Sequence, residues 1–343
     1  MTDKQWKVLI DVIHGKTFKP LPIGFIIDSP WLPNWAGISI LDYYTNEEFW
    51  FKANLKATQT FPDVIFLPGF WSEFGMCSEP SAFGAKCIWG ENEFPFAGKI
   101  IKSYDEISAI QNPNPQRDGL LPFILRRLKH YEEKINEAGH RIRFAISRGP
   151  LNIASFLMGS TEFLLGLKTN PDEMHKLLQI VSDFIIDWLE IQMDSFPSID
   201  GVLILDDIVG FLGGEDFQVF VLPYLKKIYQ SMDVSVKFFH NDAPGLVSAP
   251  YLREIGINLL NFSFQHSVNE MKELTRNTVT LLGNIPPREV LAEGKPEQVK
   301  EKVSELINYA KDRSRLIVSC GGGMPPGVST ENITVFIKAV REK

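Results

Sequence analysis

Val234-Ser235-Val236-Lys237-Phe238-Phe239 runs directly into His240-Asn241-Asp242. The first six residues are mostly β-branched or aromatic, too few for a helix, and fit a strand covered on both faces. The next three are an imidazole, an amide and a carboxylate. If the strand stays extended, His240 and Asp242 project to the same side, because side chains alternate along a strand. Working outward, seven more short apolar runs have the same character, at residues 23–27, 64–67, 142–146, 202–205, 259–262, 279–282 and 316–319. Several also end in polar residues. Asp28 follows the first, Asp206-Asp207 the fourth, Gly283-Asn284 the seventh, and Cys320 with Gly321, Gly322 and Gly323 the eighth.

Helical patterns lie between the runs. Asn170-Pro171-Asp172-Glu173 supplies an N-cap, a proline at the first helical position and acids facing the helix dipole. Leu177, Leu178, Val181, Phe184, Ile185, Trp188 and Leu189 follow at helical spacing. Pro296-Glu297 opens another helix with Val299, Val303, Leu306 and Ile307 on one face. Strands alternating with helices imply parallel pairing through right-handed crossovers. Eight such units predict an α/β (β/α)8 TIM barrel spanning residues 1–343 as a single domain. A doubly wound sheet is the alternative, but no run is followed by a dinucleotide-binding glycine fingerprint. The second unit is oversized: residues 69–96 are rich in Gly, Pro and aromatics, and read as a lid or pocket wall.

Forty-two acids against 35 bases leave a net charge of −7, which argues against a nucleic-acid partner. No apolar run approaches the ~20 residues of a membrane span. Three cysteines are too few and too scattered for a disulfide framework, so a reducing cytoplasm is the expected compartment.

Chemistry in a barrel collects where strands end. His240, Asp242 and Cys320 can converge across the mouth as a three-ligand zinc site with an open fourth position, Glu79 or Asp207 being substitutes for the oxygen ligand. Asp28, Asp207 and Glu79 are the candidate catalytic acids. Asp206-Asp207 also has a plainer reading, a helix cap and a solvated neighbour. Asn284 and the amides of Gly321, Gly322 and Gly323 are candidates to hold an anion or an amide-bearing ligand. Arg148-Gly149-Pro150 is a turn or an acid-binding arginine. His14, His130, His140 and His175 read as structural, and Cys77 and Cys87 as packing residues. Trp31, Trp35, Trp71, Phe74 and Trp89 form an aromatic wall suited to an apolar or methylated-ammonium substrate, or else the core of a lid.

Several motifs carry a family likeness: Ser78-Glu79-Pro80-Ser81-Ala82-Phe83-Gly84, Gly149-Pro150-Leu151 with Gly159 beyond it, Asp207 followed by Phe220 and Pro223-Tyr224, Gly283-Asn284-Ile285, and residues 320–327 with Glu331-Asn332-Ile333. Over residues 60–340 the chain resembles the uroporphyrinogen decarboxylase superfamily of (β/α)8 barrels. In that superfamily the decarboxylases carry N-terminal arginines that clamp the substrate carboxylates, and this chain has none before Arg117. The resemblance extends to its corrinoid-dependent methyltransferase branch, including the enzymes acting on coenzyme M. There a His-x-Cys after the fifth strand and a Cys after the eighth bind zinc. His240 and Cys320 match, and Asp242 stands where the second ligand is usually Cys. The resemblance therefore implies Zn2+, a corrinoid delivered by a small partner protein, and methyl transfer to or from a thiol, methyl ether or methylated amine. The alternatives are a carboxy-lyase of a porphyrinogen-like acid and a non-enzymatic binding barrel.

Overall fold

A computed structural model describes residues 1–27 and 30–343. Asp28, a candidate acid, lies outside the described residues. Eight parallel strands form the central sheet: β1 (Ile23–Ile26), β2 (Val64–Leu67), β3 (Phe144–Arg148), β4 (Gly201–Leu205), β5 (Val236–Asn241), β6 (Leu259–Phe262), β7 (Thr280–Ile285) and β8 (Leu316–Cys320). Their spatial order is β2-β1-β8-β7-β6-β5-β4-β3, the sequence in which a (β/α)8 barrel places neighbours. All seven ladders are parallel. The ladder is interrupted between β2 and β3, where residues 68–143 are inserted. The sheet curls around its interior as a TIM-like α/β fold.

Two apolar clusters make the core. The inner one takes alternate residues from the strands: Ile65 and Leu67, Phe144, Leu203, Val236 and Phe238, Leu259, Leu282 and Ile317. The first helix (Asp3–Ile13) closes its lower end with Trp6, Leu9, Val12 and Ile13. Gly201 opens β4 because a Cβ there would come within 2.8 Å of the Phe144 ring and 3.2 Å of Trp6. The outer cluster holds the opposite faces of the strands against the helices, and includes Val202, Ile204, Phe239, Leu281, Leu316, Val318 and Cys320.

The helices form largely where the patterns place them. Pro171–Ser195 buries the expected apolar stripe, although the Asn170 side chain does not cap it. Pro296–Tyr309 buries Val299, Val303 and Ile307. The insertion contains a short helix (Ser78–Ala82), a two-stranded hairpin (Cys87–Ile88 with Phe96–Ala97) and a long helix (Leu121–Glu137). Of the expected aromatic wall, Trp31, Trp71 and Phe74 are buried, Trp35 is half-buried and Trp89 is exposed. Trp31 is fully buried, stacks on Trp35 and Phe66, and donates its Nε1–H to the Val328 carbonyl. Trp71 and Phe74 are also buried, and the Arg127 guanidinium lies 4.6 Å from the centre of the Phe74 ring. Among the described residues no helix is long and apolar enough to cross a membrane.

Candidate metal centre

The strand ends fix the site one residue at a time. On β5, Val236 and Phe238 belong to the inner cluster, so alternation carries His240 to the same side. His240 lies in register with Asn261 of β6. Its Nδ1 is 2.9 Å from Asn261 Oδ1. The Asn261 Nδ2 donates to two carbonyls, Leu282 of β7 at 2.8 Å and Cys320 of β8 at 3.1 Å. An amide whose NH2 is used in this way must present its oxygen to the histidine. In the neutral imidazole, Nδ1 of His240 therefore carries the hydrogen and Nε2 the lone pair.

That lone pair faces acids. Nε2 lies 3.8 Å from Asp207 Oδ1, and the same oxygen accepts the backbone N–H of Asp242 at 3.1 Å. One ligand atom from each of Asp207, His240 and Asp242 falls within 4.8 Å of the other two. Burial pushes the Asp207 carboxyl up to about 6; His240 opposes this rise and the nearby Asp242 charge adds to it.

Asp206 and Asp207 divide the two roles that their neighbouring positions offered. Asp206 is fully buried and accepts the N–H groups of Leu151 at 2.8 Å and Asn152 at 3.1 Å, at the start of the helix Pro150–Met158. In return Asn152 donates to the Leu205 carbonyl at 3.2 Å and accepts from Ile208 N–H at 3.3 Å. Gly149 is required there, since a Cβ would lie 2.3 Å from the Asp206 carboxylate. With β4 anchored by this exchange, Asp207 turns to the mouth.

Cys320 does not join the cluster. Leu316, Val318 and Cys320 of β8 pack in the outer layer, whereas Ile317 is in the inner one. The thiol bonds to the Gly322 carbonyl at 3.2 Å. Asp207, named as a substitute for the oxygen ligand, is the third member of the group the structure brings together with His240 and Asp242.

Glu79 is also committed elsewhere. Its Oε2 is 3.2 Å from Arg148 Nη1 and its Oε1 accepts the Arg148 backbone N–H at 2.9 Å. Glu73 takes the other guanidinium nitrogen at 2.9 Å. Burial works against the Arg148 charge, but the Glu79 and Glu73 carboxylates more than offset it. Arg148 is therefore an acid-binding arginine whose acids are internal.

Asn284 and the three glycines serve the loops around the centre. The Asn284 amide donates to the Ser263 carbonyl at 3.1 Å and to that of His266. Gly321 lets the chain pass the Phe264 backbone nitrogen, which a Cβ would approach to 2.5 Å, and its own N–H is bonded to Ile285. Gly322 has φ +122°, and a Cβ there would sit 3.1 Å from the Asp242 carboxylate. Gly323 is half-buried beside them. The amide of Asn284 and that of Gly321 are occupied by protein rather than open to a ligand.

Asn261, Glu73 and His266 escaped the sequence reading. His266 accepts the Gly245 N–H at 3.0 Å and so ties the loop after β5 to the loop after β6. Asn261 had a visible signal, a lone amide inside the apolar run 259–262.

The family model described as "Uroporphyrinogen decarboxylase (URO-D)" matches residues 9–343. The chain belongs to the URO-D family. Uroporphyrinogen decarboxylases from Ruthia magnifica subsp. Calyptogena magnifica and Pseudoalteromonas translucida are 25% and 24% identical to it, over 85% and 77% of this chain and 81% and 75% of theirs. A solved structure of a methyltransferase from Methanosarcina mazei has a TM-score of 0.83 at 19% identity, covering 98% of both chains. A B12-independent methionine synthase from Shewanella has a TM-score of 0.56 at 11% identity, covering 94% of this chain and 98% of its own. These two show that the fold of this URO-D family member is shared.

Proposed function

We propose that this URO-D family enzyme is a zinc-dependent methyltransferase that moves a methyl group between a small substrate and a corrinoid carried by a partner protein. One observation carries the reading: the His240 Nε2 lone pair and the carboxylates of Asp207 and Asp242 converge, with the imidazole hydrogen turned away toward Asn261. Three lone-pair donors in one pocket call for a cation. An imidazole and two carboxylates suit Zn2+ with a position left for substrate.

Zn2+ bound there supplies Lewis acidity to a thiol acceptor or to the leaving atom of a methyl donor. The chain's own residues do the rest. Asn261 holds the imidazole in one tautomer and one orientation. Asp206 fixes the strand end from which Asp207 projects. The Glu73–Arg148–Glu79 group fixes the end of β3 and leaves no net positive charge to hold a polycarboxylate. On the rim, Phe211, Leu246 and Phe264 are exposed on the loops after β4, β5 and β6. Apolar side chains around a mouth fit the docking of a corrinoid protein.

The decarboxylase reading is favoured by the names of the curated relatives. Both readings are tested together. Purified protein is assayed for zinc, then mixed with Co(I) corrinoid and methyl donors, or with methylcorrinoid and thiols, while cobalt absorption is followed. About one zinc per chain, with turnover lost in His240→Ala and Asp207→Asn, supports methyl transfer. No bound zinc, an unchanged cobalt spectrum and CO2 release from a porphyrinogen would establish the decarboxylase.

A further inference from the structure

The insertion after β2 brings together two of the chain's three cysteines. Cys77 is buried at the residue that opens the helix Ser78–Ala82, and Cys87 is half-buried in the first strand of the hairpin. Backbone bonds join the two segments. The Met76 N–H donates to the Pro95 carbonyl at 3.2 Å, and Pro95 immediately precedes the strand that pairs with Cys87–Ile88. The hairpin is closed below by Gly98 N–H donating to Lys86 at 2.8 Å. Within this frame the Cys77 and Cys87 side chains are neighbours, and each acts on the other's ionisation. The third thiol, Cys320, is held at the end of β8 by Gly322. Neither methyl transfer nor the metal centre uses the pair.

We propose that Cys77 and Cys87 are a reversible dithiol–disulfide site, oxidised by hydroperoxides, that fastens the hairpin to the helix carrying Glu79. Cys87 is the more accessible sulfur and reacts first. Its thiolate attacks one peroxide oxygen, the O–O bond breaks, and the departing hydroxide takes a proton to leave as water, so that Cys87 becomes a sulfenic acid. The Cys77 sulfur then attacks the Cys87 sulfur and the S–O bond breaks. The released hydroxide takes the Cys77 proton and leaves as a second water. Two thiols lose two electrons and two hydrogens, and one peroxide becomes two waters. A dithiol reductant reverses the change by exchange. Burial raises both thiols, Cys77 up to about 12, so the reaction is slow near neutrality and quickens as pH rises. Such a pair answers sustained oxidant rather than a brief pulse. Its bond joins the hairpin to the first turn of the helix whose Glu79 holds Arg148.

The test uses the full chain. Protein is incubated with hydrogen peroxide, quenched with catalase, denatured, and its thiols are counted and mapped by mass spectrometry. The expected result is a fall from three titratable thiols to one, a peptide pair joining Cys77 to Cys87 with two hydrogens lost, and return to three thiols with dithiothreitol. Cys87→Ser and Cys77→Ser each abolish the cross-link, while Cys320 stays alkylatable throughout. Three thiols persisting after oxidation, Cys87 advancing to sulfinic acid without a cross-link, or bonds made to Cys320 or between chains would overturn it.

Discussion

Two acidic clusters stand at the mouth of this barrel, and they are built on opposite terms. In one, Glu73 and Glu79, each with a side chain 4% exposed, share the Arg148 guanidinium at 2.9 and 3.2 Å. In the other, Asp207 and Asp242 meet the bare nitrogen of His240, and the N–H given to Asp207 Oδ1 comes from the Asp242 backbone. The first cluster carries its own cation. The second has no arginine or lysine among its members and is the candidate metal centre. A buried acid beside a cation is part of the frame; an acid beside a lone pair is ready for a metal ion.

The largest expected effect breaks the first cluster. Arg148→Ala removes the guanidinium that the two buried carboxylates share and should cost about 3–5 kcal/mol in denaturant unfolding. Adding Glu79→Gln to it should recover part of that loss, because one stranded charge is removed. A stable Arg148→Ala protein that has instead lost its metal would reverse the assignment of the two clusters.

The second cluster should respond in the other way. Near neutral pH Asp207→Asn is expected to stabilise metal-free protein, because it removes a carboxylate whose ionisation the fold disfavours, and His240→Ala to shift its stability by no more than about 1 kcal/mol. Zinc affinity, measured against a chromophoric chelator, should fall by more than about 100-fold in each. Cys320→Ala should change it by less than about tenfold, since its thiol lies in the outer layer. A Cys320→Ala loss equal to that of His240→Ala would restore the cysteine as a ligand.

Asn261 sits between these extremes because it serves both frame and site. Asn261→Leu should lower zinc affinity by about 10–100-fold by freeing the imidazole. It should also destabilise the fold by about 1–3 kcal/mol by stranding the Leu282 and Cys320 carbonyls. Asn261→Asp keeps an acceptor for the His240 Nδ1–H but has no NH2 for those carbonyls. It should therefore recover affinity more than stability, and equal recovery of both would show that the two roles are not separable.

Much of this arrangement is written in the chain. Every strand lies on or beside an apolar run, and β2 and β6 coincide with the runs 64–67 and 259–262. β3 lies two residues later than its run because Ile142 precedes the ladder and Ser147 and Arg148 complete it. The side to which each strand-end residue turns was harder to read. In a barrel covered by helices both strand faces are apolar, so Leu316, Ile317 and Val318 do not say which face Cys320 shares. The same ambiguity hides which of Asp206 and Asp207 reaches the mouth. His240 is legible as a strand-end group, but its partner Asn261 lies on the next strand, and register between strands is not visible in one sequence. Glu79 stood out as an acid near aromatics, while the arginine that claims it is distant in the chain.

The smallest expected effect is a pH dependence of metal-free protein, and it isolates the uncompensated cluster from the rest of the fold. Asp207 titrates at about 6 when folded and near the usual 3.8 when unfolded. Between those values the native state holds a proton that the unfolded chain releases, so this group lowers stability as pH rises through the window. His140 acts in the opposite sense. It is buried beside Phe70, and burial, with the N-terminal charge adding to it, lowers it from 6.5 to about 4. Between about 4 and 6.5 the unfolded chain binds the proton, so this group raises stability with pH and its contribution is lost on acidification. The two slopes overlap and oppose each other in the wild-type protein. Asp207→Asn should therefore steepen the rise of stability from pH 4 to 6, and His140→Gln should turn that rise toward a fall, each read from denaturant midpoints at a series of pH values. Saturating zinc should steepen the slope at least as much as Asp207→Asn, because the metal-bound carboxylates and imidazole no longer take up protons. A slope that neither zinc nor Asp207→Asn alters would mean that Asp207 is an ordinary solvated acid and that the second cluster holds no unmet charge.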